Sequence, residues 1–300
     1  MTDAAERIKA DQPRPFLKDP SFDNQTIVIT GAGGQFGREG CQYFYRQGCN
    51  VVALDNNTKA LEETKASIDD GNNDARFISI TCDVTSEESV DGAIQQAVDK
   101  FPSGIHFLWN NAGYQGQIAP TLDYPVDDFR RVLDINVTGM FMVLQRVARQ
   151  MTKQQAQQGQ QGQQSSYAIV NTASVAGLRG TPAMIAYASS KAAVLAMTVS
   201  SSKDLAPHGI RVNAISPALI GPGYMWDRQN ELHADCASPY FANDAATVAR
   251  NKISGVPMKR LGSIAEVVQS VSYLLSPLQS SYTTGTNVVV DGGMSSGLKC

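Results

Sequence analysis

Thr26-Ile27-Val28-Ile29-Thr30-Gly31-Ala32-Gly33-Gly34-Gln35-Phe36-Gly37 decides how this chain folds. Its first five residues are all β-branched, and so short and continuous an apolar run fits a strand covered on both faces. The run passes straight into glycines, which lack a Cβ, so the main chain can turn tightly and approach a ligand. A helix beginning there points unpaired N–H groups at the turn, and a phosphate is drawn to such an end. The spacing is not the strict G-x-G-x-x-G. Many turns are glycine-rich, so the loop takes its meaning from what surrounds it.

Six further runs of the same kind follow: Asn50–Leu54, Phe77–Ile80, His106–Trp109, Ala168–Asn171, Arg211–Ile215 and Asn287–Val290. Longer amphipathic stretches separate them. Phe129, Leu133, Met140, Leu144, Val147 and Met151 recur at helical spacing and predict a helix over 126–151. A second helix is expected from Pro182 to Leu205, where Pro207-His208-Gly209 ends it. The alternation predicts α/β architecture: a single doubly wound Rossmann-type domain with a seven-stranded parallel sheet flanked by helices. It occupies residues 25–300, after an N-terminal extension, 1–24. Residues 152–166 read as a surface insert, since Gln154 to Ser166 is almost all Gln and Gly, with two serines, and a loop lengthens there at little cost. A binding role for that tract stays open.

The second run ends at Asp55. A carboxylate there accepts hydrogen bonds from the ribose hydroxyls of adenosine and repels a 2′-phosphate, which favours NAD over NADP. Gln35 and Asn56 are neutral, so no cation stands ready for a phosphate. An ordinary strand-end carboxylate would occupy the same place. Further on the chain reads Tyr187-Ala188-Ser189-Ser190-Lys191. Residues four apart share a helix face, so phenol and ammonium reach the same point. Ser174 lies just past the fifth run, and ligands bind at the strand ends of open parallel sheets.

Composition narrows the classes. The 300 residues are 42% hydrophobic with a formal net charge of −3, and no basic block suggests nucleic acid or a membrane surface. No apolar stretch reaches the roughly 18 residues of a membrane span. Met1 to Asn24 contains no apolar signal core. The five cysteines are odd in number and form no C-x-x-C, which suits a reducing compartment; a cytoplasmic location is expected. His106, His208 and His233 stand apart from one another, and although His233 lies three residues before Cys236 no further His or Cys completes a zinc-ligand cluster, so no metal site is expected.

In order along the chain, Thr30-Gly31…Gly37, Asp83-Val84, Asn110-Asn111-Ala112-Gly113, Asn136, Ser174, Tyr187…Lys191 and Pro217 resemble the short-chain dehydrogenase/reductase family, from about Thr26 to Gly293. The resemblance implies an NAD-dependent enzyme with Asn136, Ser174, Tyr187 and Lys191 at its catalytic centre. Tyr187 would be the general acid/base. Lys191 would lower the phenol pKa by its charge, since a phenol near pKa ~10 is a poor base at neutral pH, and would bind the nicotinamide ribose. Ser174 would hold the substrate oxygen. Asn136 would hold a water linking Lys191 to solvent, although an Asn can also serve a kinked helix. The cofactor would further meet Gly31, Gln35, Phe36, Gly37, Asp55, Asn56, Asp83, Val84, Asn111, Ala112, Gly113, Pro217 and Ile220. Gln35 and Ala218 depart from the family pattern, which usually has Gly at both places.

Residues 219–261 would form the substrate lid. Asn110 to Gly116, Asp123-Tyr124-Pro125 and Gly221 to Gln229 look like the bacterial NAD-dependent xylitol dehydrogenases of this family, which implies oxidation of xylitol to D-xylulose. Gln115, Met225, Trp226 and Arg228 are then candidate specificity residues. The resemblance also implies a homotetramer or homodimer packed through the two long helices. A carbonyl or 3-oxoacyl reductase of the same family remains an alternative, though such enzymes often use NADPH and Asp55 weighs against that. A zinc-dependent polyol dehydrogenase lacks its ligand cluster. A silent NAD-binding scaffold is the reading outside enzymes, and intact Ser174, Tyr187 and Lys191 argue against it.

Overall fold

The computed structural model describes residues 17–68, 75–157 and 167–296. Strands and helices alternate: β1 (Thr26–Thr30), α1 (Gln35–Arg46), β2 (Asn50–Asp55), α2 (Thr58–Ala66), β3 (Phe77–Thr81), α3 (Glu87–Lys100), β4 (Phe107–Asn110), α4 (Val126–Leu133), α5 (Met140–Gln157), β5 (Tyr167–Thr172), α6 (Val175–Arg179), α7 (Ile185–Leu205), β6 (Ile210–Pro217), α8 (Tyr224–Asp235), α9 (Ala245–Ser254), α10 (Ile264–Leu275), α11 (Pro277–Ser280) and β7 (Asn287–Val290). All seven strands are parallel, in the order β3-β2-β1-β4-β5-β6-β7. The chain winds outward from β1 to β3, then returns to the other side of β1 at β4. Connections leave β1 and β4 in opposite directions, which opens a crevice between their carboxyl ends.

Burial follows the pleat. Ile27 and Ile29 of β1 join Phe107 and Trp109 of β4 in a core that α1 and α10 cover, with Phe44, Val267, Val271 and Leu274. The residues between them, Val28 and Leu108, point into the opposite core, closed by Val90 and Ala97 of α3 and by Val143 and Val147 of α5. Successive side chains of a strand face opposite ways, so a sheet covered on both sides needs apolar residues at every position. No helix among the described residues is long and apolar enough to cross a membrane.

Four boundaries differ from the sequence reading. The long helical pattern is split: Asp134–Gly139 forms a π-helical segment between α4 and α5. The helix expected from Pro182 begins at Ile185 instead. The expected extension 1–24 lies partly outside the described residues, but its end is built into the domain. Phe22 is fully buried and packs edge-on against Phe44 and Phe107, each at 5.3 Å between ring centroids. Asp19 accepts hydrogen bonds from Ser276 Oγ (2.6 Å) and Gln279 Nε2 (3.0 Å) and donates its N–H to Gln47.

The fourth difference concerns the Gln-rich tract. Residues 158–166 lie outside the described residues, but 152–157 continue α5. Gln154 is buried, against the surface placement read from composition. Its amide grips the main chain of Ile105, accepting from the N–H and donating to the carbonyl, both at 2.9 Å. A buried backbone needs such partners, and a Gln side chain supplies donor and acceptor at once. Gln154→Ala should therefore cost about 1–3 kcal/mol in denaturant unfolding. A loss within about 0.5 kcal/mol, typical of surface sites, would show the grip to be unimportant.

Candidate active site

A cavity of about 660 Å³ follows the carboxyl edge of the sheet. Gly31, Gly34, Gln35 and Phe36 after β1, and Asp55 at the end of β2, line one stretch. Ser174, Tyr187 and Lys191 line another, with Pro217 to Pro222 and residues of α8 and α9 beyond. In the strand order Asp55 and Ser174 stand three strands apart, about 14 Å at the usual strand spacing. The cavity is therefore elongated, with a carboxylate toward one end and the Ser–Tyr–Lys group toward the other.

Lys191 is 2% exposed, deep against β5. Its ammonium donates to the Thr172 carbonyl at 2.7 Å and lies 5.6 Å from the centroid of the Tyr187 ring. Burial brings its pKa down to about 8. The one-turn separation predicted this neighbourhood, but the electrostatics differ from the expectation. Burial pushes the Tyr187 phenol upward, and a hydrogen bond with Ser174 offsets part of that rise. Ser174 caps α6, accepting from the Ala176 N–H at 3.2 Å. Asn136 lies within the π segment and is fully buried. Its Nδ2 donates to the Tyr114 carbonyl (2.8 Å) and Ser190 Oγ (2.9 Å), and its Oδ1 accepts from the Tyr114 N–H at 2.7 Å. Its amide thus ties the loop after β4 to α7.

The glycine loop is bound to the same frame. Thr30 Oγ1 accepts from the N–H groups of Asn111 (2.8 Å) and Ala112 (2.9 Å). Gly31 has φ +66°, and a Cβ there would stand 3.0 Å from the Ala112 Cα. A Cβ on Gly113 would lie 3.3 Å from Asn136 Oδ1 and 3.5 Å from Lys191 Nζ, so glycine keeps that wall open. No side chain caps α1, whereas Asn57, Ser86 and Ser263 cap α2, α3 and α10. The first N–H groups of α1 have no acceptor within the helix, and they face the glycine turn. Asp55 Oδ2 accepts from the Gly33 N–H and Oδ1 from the Asn57 N–H, both at 2.9 Å, which fixes the carboxylate beside the loop.

Gly31, Gln35, Phe36, Asp55, Asn111, Gly113, Gln115, Pro217, Ile220, Met225 and Trp226 all line the cavity, as expected. Gly37 and Ala112 instead pack behind Gly31. Asn56 is exposed and off the wall. Asp83 bonds Thr85 in its own turn, and Val84 packs against Gly139; neither lines the cavity. Arg228 is half-exposed, pairs with Glu231 at 3.6 Å and is not among the cavity-lining residues. The inward face of α8 carries Trp226, Asn230 and His233 instead. Their 226/230/233 spacing is visible in the sequence and would have found that face. Thr172, Met184, Arg179 and Lys252 also line the cavity, and no local motif announces them.

The family model described as Enoyl-(Acyl carrier protein) reductase matches residues 31–295. The chain belongs to the short-chain dehydrogenase/reductase family. Among solved structures, the crystal structure of an NAD⁺-bound xylitol dehydrogenase is 46% identical with a TM-score of 0.83, covering 91% of this chain and 99% of that one. Levodione reductase of Leifsonia aquatica is 31% identical over 274 residues, 91% of this chain and 95% of the relative. Sorbitol dehydrogenase of Cereibacter sphaeroides is 31% identical over 272 residues, 91% of this chain and 98% of the relative.

Proposed function

We propose that this chain is an NAD-dependent dehydrogenase that oxidises a secondary alcohol of a polyol, with xylitol to D-xylulose as the reaction that suits it best. The observation that carries this reading is the convergence of Ser174, Tyr187 and Lys191 on one cavity that also holds the Asp55 carboxylate. The likeness to the NAD⁺-bound xylitol dehydrogenase supports the cofactor and the substrate class, and the sorbitol dehydrogenase relative supports a polyol.

The residues fit a dinucleotide. Gly31 and Gly113 leave the wall bare, α1 offers uncapped N–H groups to a pyrophosphate, and Asp55 offers oxygens to the adenosine ribose. When bound, the nicotinamide supplies the acceptor for the hydride leaving the carbinol carbon. Ser174 holds the substrate hydroxyl against Tyr187. The deprotonated Tyr187 Oη takes the hydroxyl proton as the carbon–oxygen bond becomes a carbonyl, so one hydride and one proton leave the alcohol. Lys191, anchored on the Thr172 carbonyl, keeps positive charge beside the phenol and favours its deprotonated form. Both Nδ2 donors of Asn136 are taken by Tyr114 and Ser190, while Oδ1 accepts only from the Tyr114 N–H and keeps a lone pair that would hold the relay water. Asp83 and Val84, just outside the cavity wall, would meet the adenine edge. The half-exposed Val126, Phe141, Ile185 and Val199 on α4, α5 and α7 support a homodimer or homotetramer packed through those helices.

Tyr187→Phe removes the proton acceptor and should lower turnover by about 10²–10⁴ while NAD⁺ binding, followed by fluorescence titration, stays near wild type. Near-normal turnover would place the base elsewhere. The raised phenol pKa also sets a sign for pH dependence. At neutral pH the phenol is protonated, so oxidation must gain as pH rises and ketone reduction must lose. The gain should be steepest before Lys191, at about 8, gives up its charge. A kcat/KM profile for oxidation that is flat from about pH 7 to 9 would refute this. Asp55→Ala should narrow the preference for NAD⁺ over NADP⁺ by on the order of tenfold. An unchanged ratio of kcat/KM values would locate the selectivity in other residues.

A further inference from the structure

The lid end of the cavity carries a polar wall that none of the roles above uses. One face of α8 presents Trp226, Asn230 and His233, all buried. α9 lays Lys252 against that face. Its ammonium donates to Asn230 Oδ1 at 2.8 Å, lies 3.1 Å from His233 Nδ1, and sits 5.5 Å from the centroid of the Trp226 ring. His233 Nδ1 also lies 2.7 Å from the Gln229 carbonyl, which can only accept, so Nδ1 carries the proton. Burial and the neighbouring Lys252 charge bring the His233 pKa to about 4, which keeps the imidazole neutral. Lys252 is the cation of the group, and among the described residues it has no carboxylate partner. A protonated Nδ1 cannot accept from Lys252, so the ammonium keeps N–H directions beyond the one that Asn230 takes.

Lys252, Gln229 and Gln115 line the same cavity as Tyr187, and Gln229 Nε2 donates to Gln115 Oε1 at 3.1 Å. This end of the cavity therefore mixes amide acceptors with a donor cation. A hydroxyl, which donates and accepts, satisfies both.

We propose that Lys252 is a substrate-positioning residue, donating a hydrogen bond to a hydroxyl of the polyol remote from the carbon that loses its hydride; this rests on the polyol reading above. Asn230 aims the ammonium, which also lies over the Trp226 ring. Lys252 takes no part in proton transfer, so its contribution appears in binding and scales with the remote hydroxyls of the substrate.

The test compares wild type, K252M and K252R on xylitol and on 2-pentanol, which has five carbons and one hydroxyl, at saturating NAD⁺. Thermal melting of each variant checks the fold, and K252A carries the same comparison if K252M does not fold. K252M should raise KM for xylitol by about tenfold with kcat little changed, and leave kcat/KM for 2-pentanol within about twofold. K252R, which keeps the donors, should hold the xylitol KM within about threefold. Equal losses on both alcohols, or no change on xylitol, would overturn the role. A wild-type enzyme that oxidises 2-pentanol but not xylitol would overturn the polyol reading, and the Lys252 role with it. A wild type active on xylitol with an unaffected K252M overturns the Lys252 role alone.

Discussion

The site depends on a buried ammonium held by a strand's last carbonyl. Lys191 is taken almost wholly from water, and an amine so placed is costly unless its hydrogen bonds are made. The bond to Thr172 O makes β5 the reference for α7. Thr172 is itself fixed from the far side: Trp109 Nε1 donates to its hydroxyl at 2.9 Å, and the hydroxyl donates to Asn111 at 3.3 Å. The Trp109 ring lies so close to Gly40 of α1 that a Cβ there would collide with it. A continuous line of contacts thus runs from the helix behind the glycine turn, through β4 and β5, to the lysine. The glycine-turn end of the cavity and the end that holds Ser174, Tyr187 and Lys191 are positioned by one continuous frame.

The same frame explains what the residues announce in advance. Strands buried on both faces must be apolar at nearly every position, so β1, β2, β4 and β5 stand out as continuous runs, whereas the edge strands β3 and β7 are only partly buried. A phenol and a lysine four residues apart need only a helix to meet. The polar hub at Asn136 was legible as a residue, but not its attachment to Tyr114 and Ser190, because those partners are distant in the chain.

Other features escaped for physical reasons. Gln154 opens a tract whose composition says loop, yet α5 runs on until its amide reaches Ile105; composition averages over the one residue that matters. Phe22 precedes the first apolar run by only a few residues and looked like part of a tail. Arg228 looked poised for a ligand because it is polar and lies in the lid, but helical phase turns it toward Glu231. Lys252 had no signal of its own. It matters through Asn230 and His233, on a neighbouring helix, and only packing brings them together. The phenol moved opposite to the lysine-based expectation because burial raises it and the Ser174 hydrogen bond offsets only part of that rise.

The two cores also differ in when they can be completed. Val28, Leu108, Val143, Val147 and Val212 close one face of the sheet with residues that all precede α8. The other face, with Ile27, Ile29, Phe107 and Trp109, is finished by Val267, Val271 and Leu274 of α10, and Asp19 is tied there to Ser276 and Gln279. During synthesis from the amino end, that face stays open to water until the last helices leave the ribosome. Between the synthesis of β6 and that of α10 the nascent protein thus carries a half-covered apolar sheet, a period when chaperones that hold exposed hydrophobic surface have something to bind.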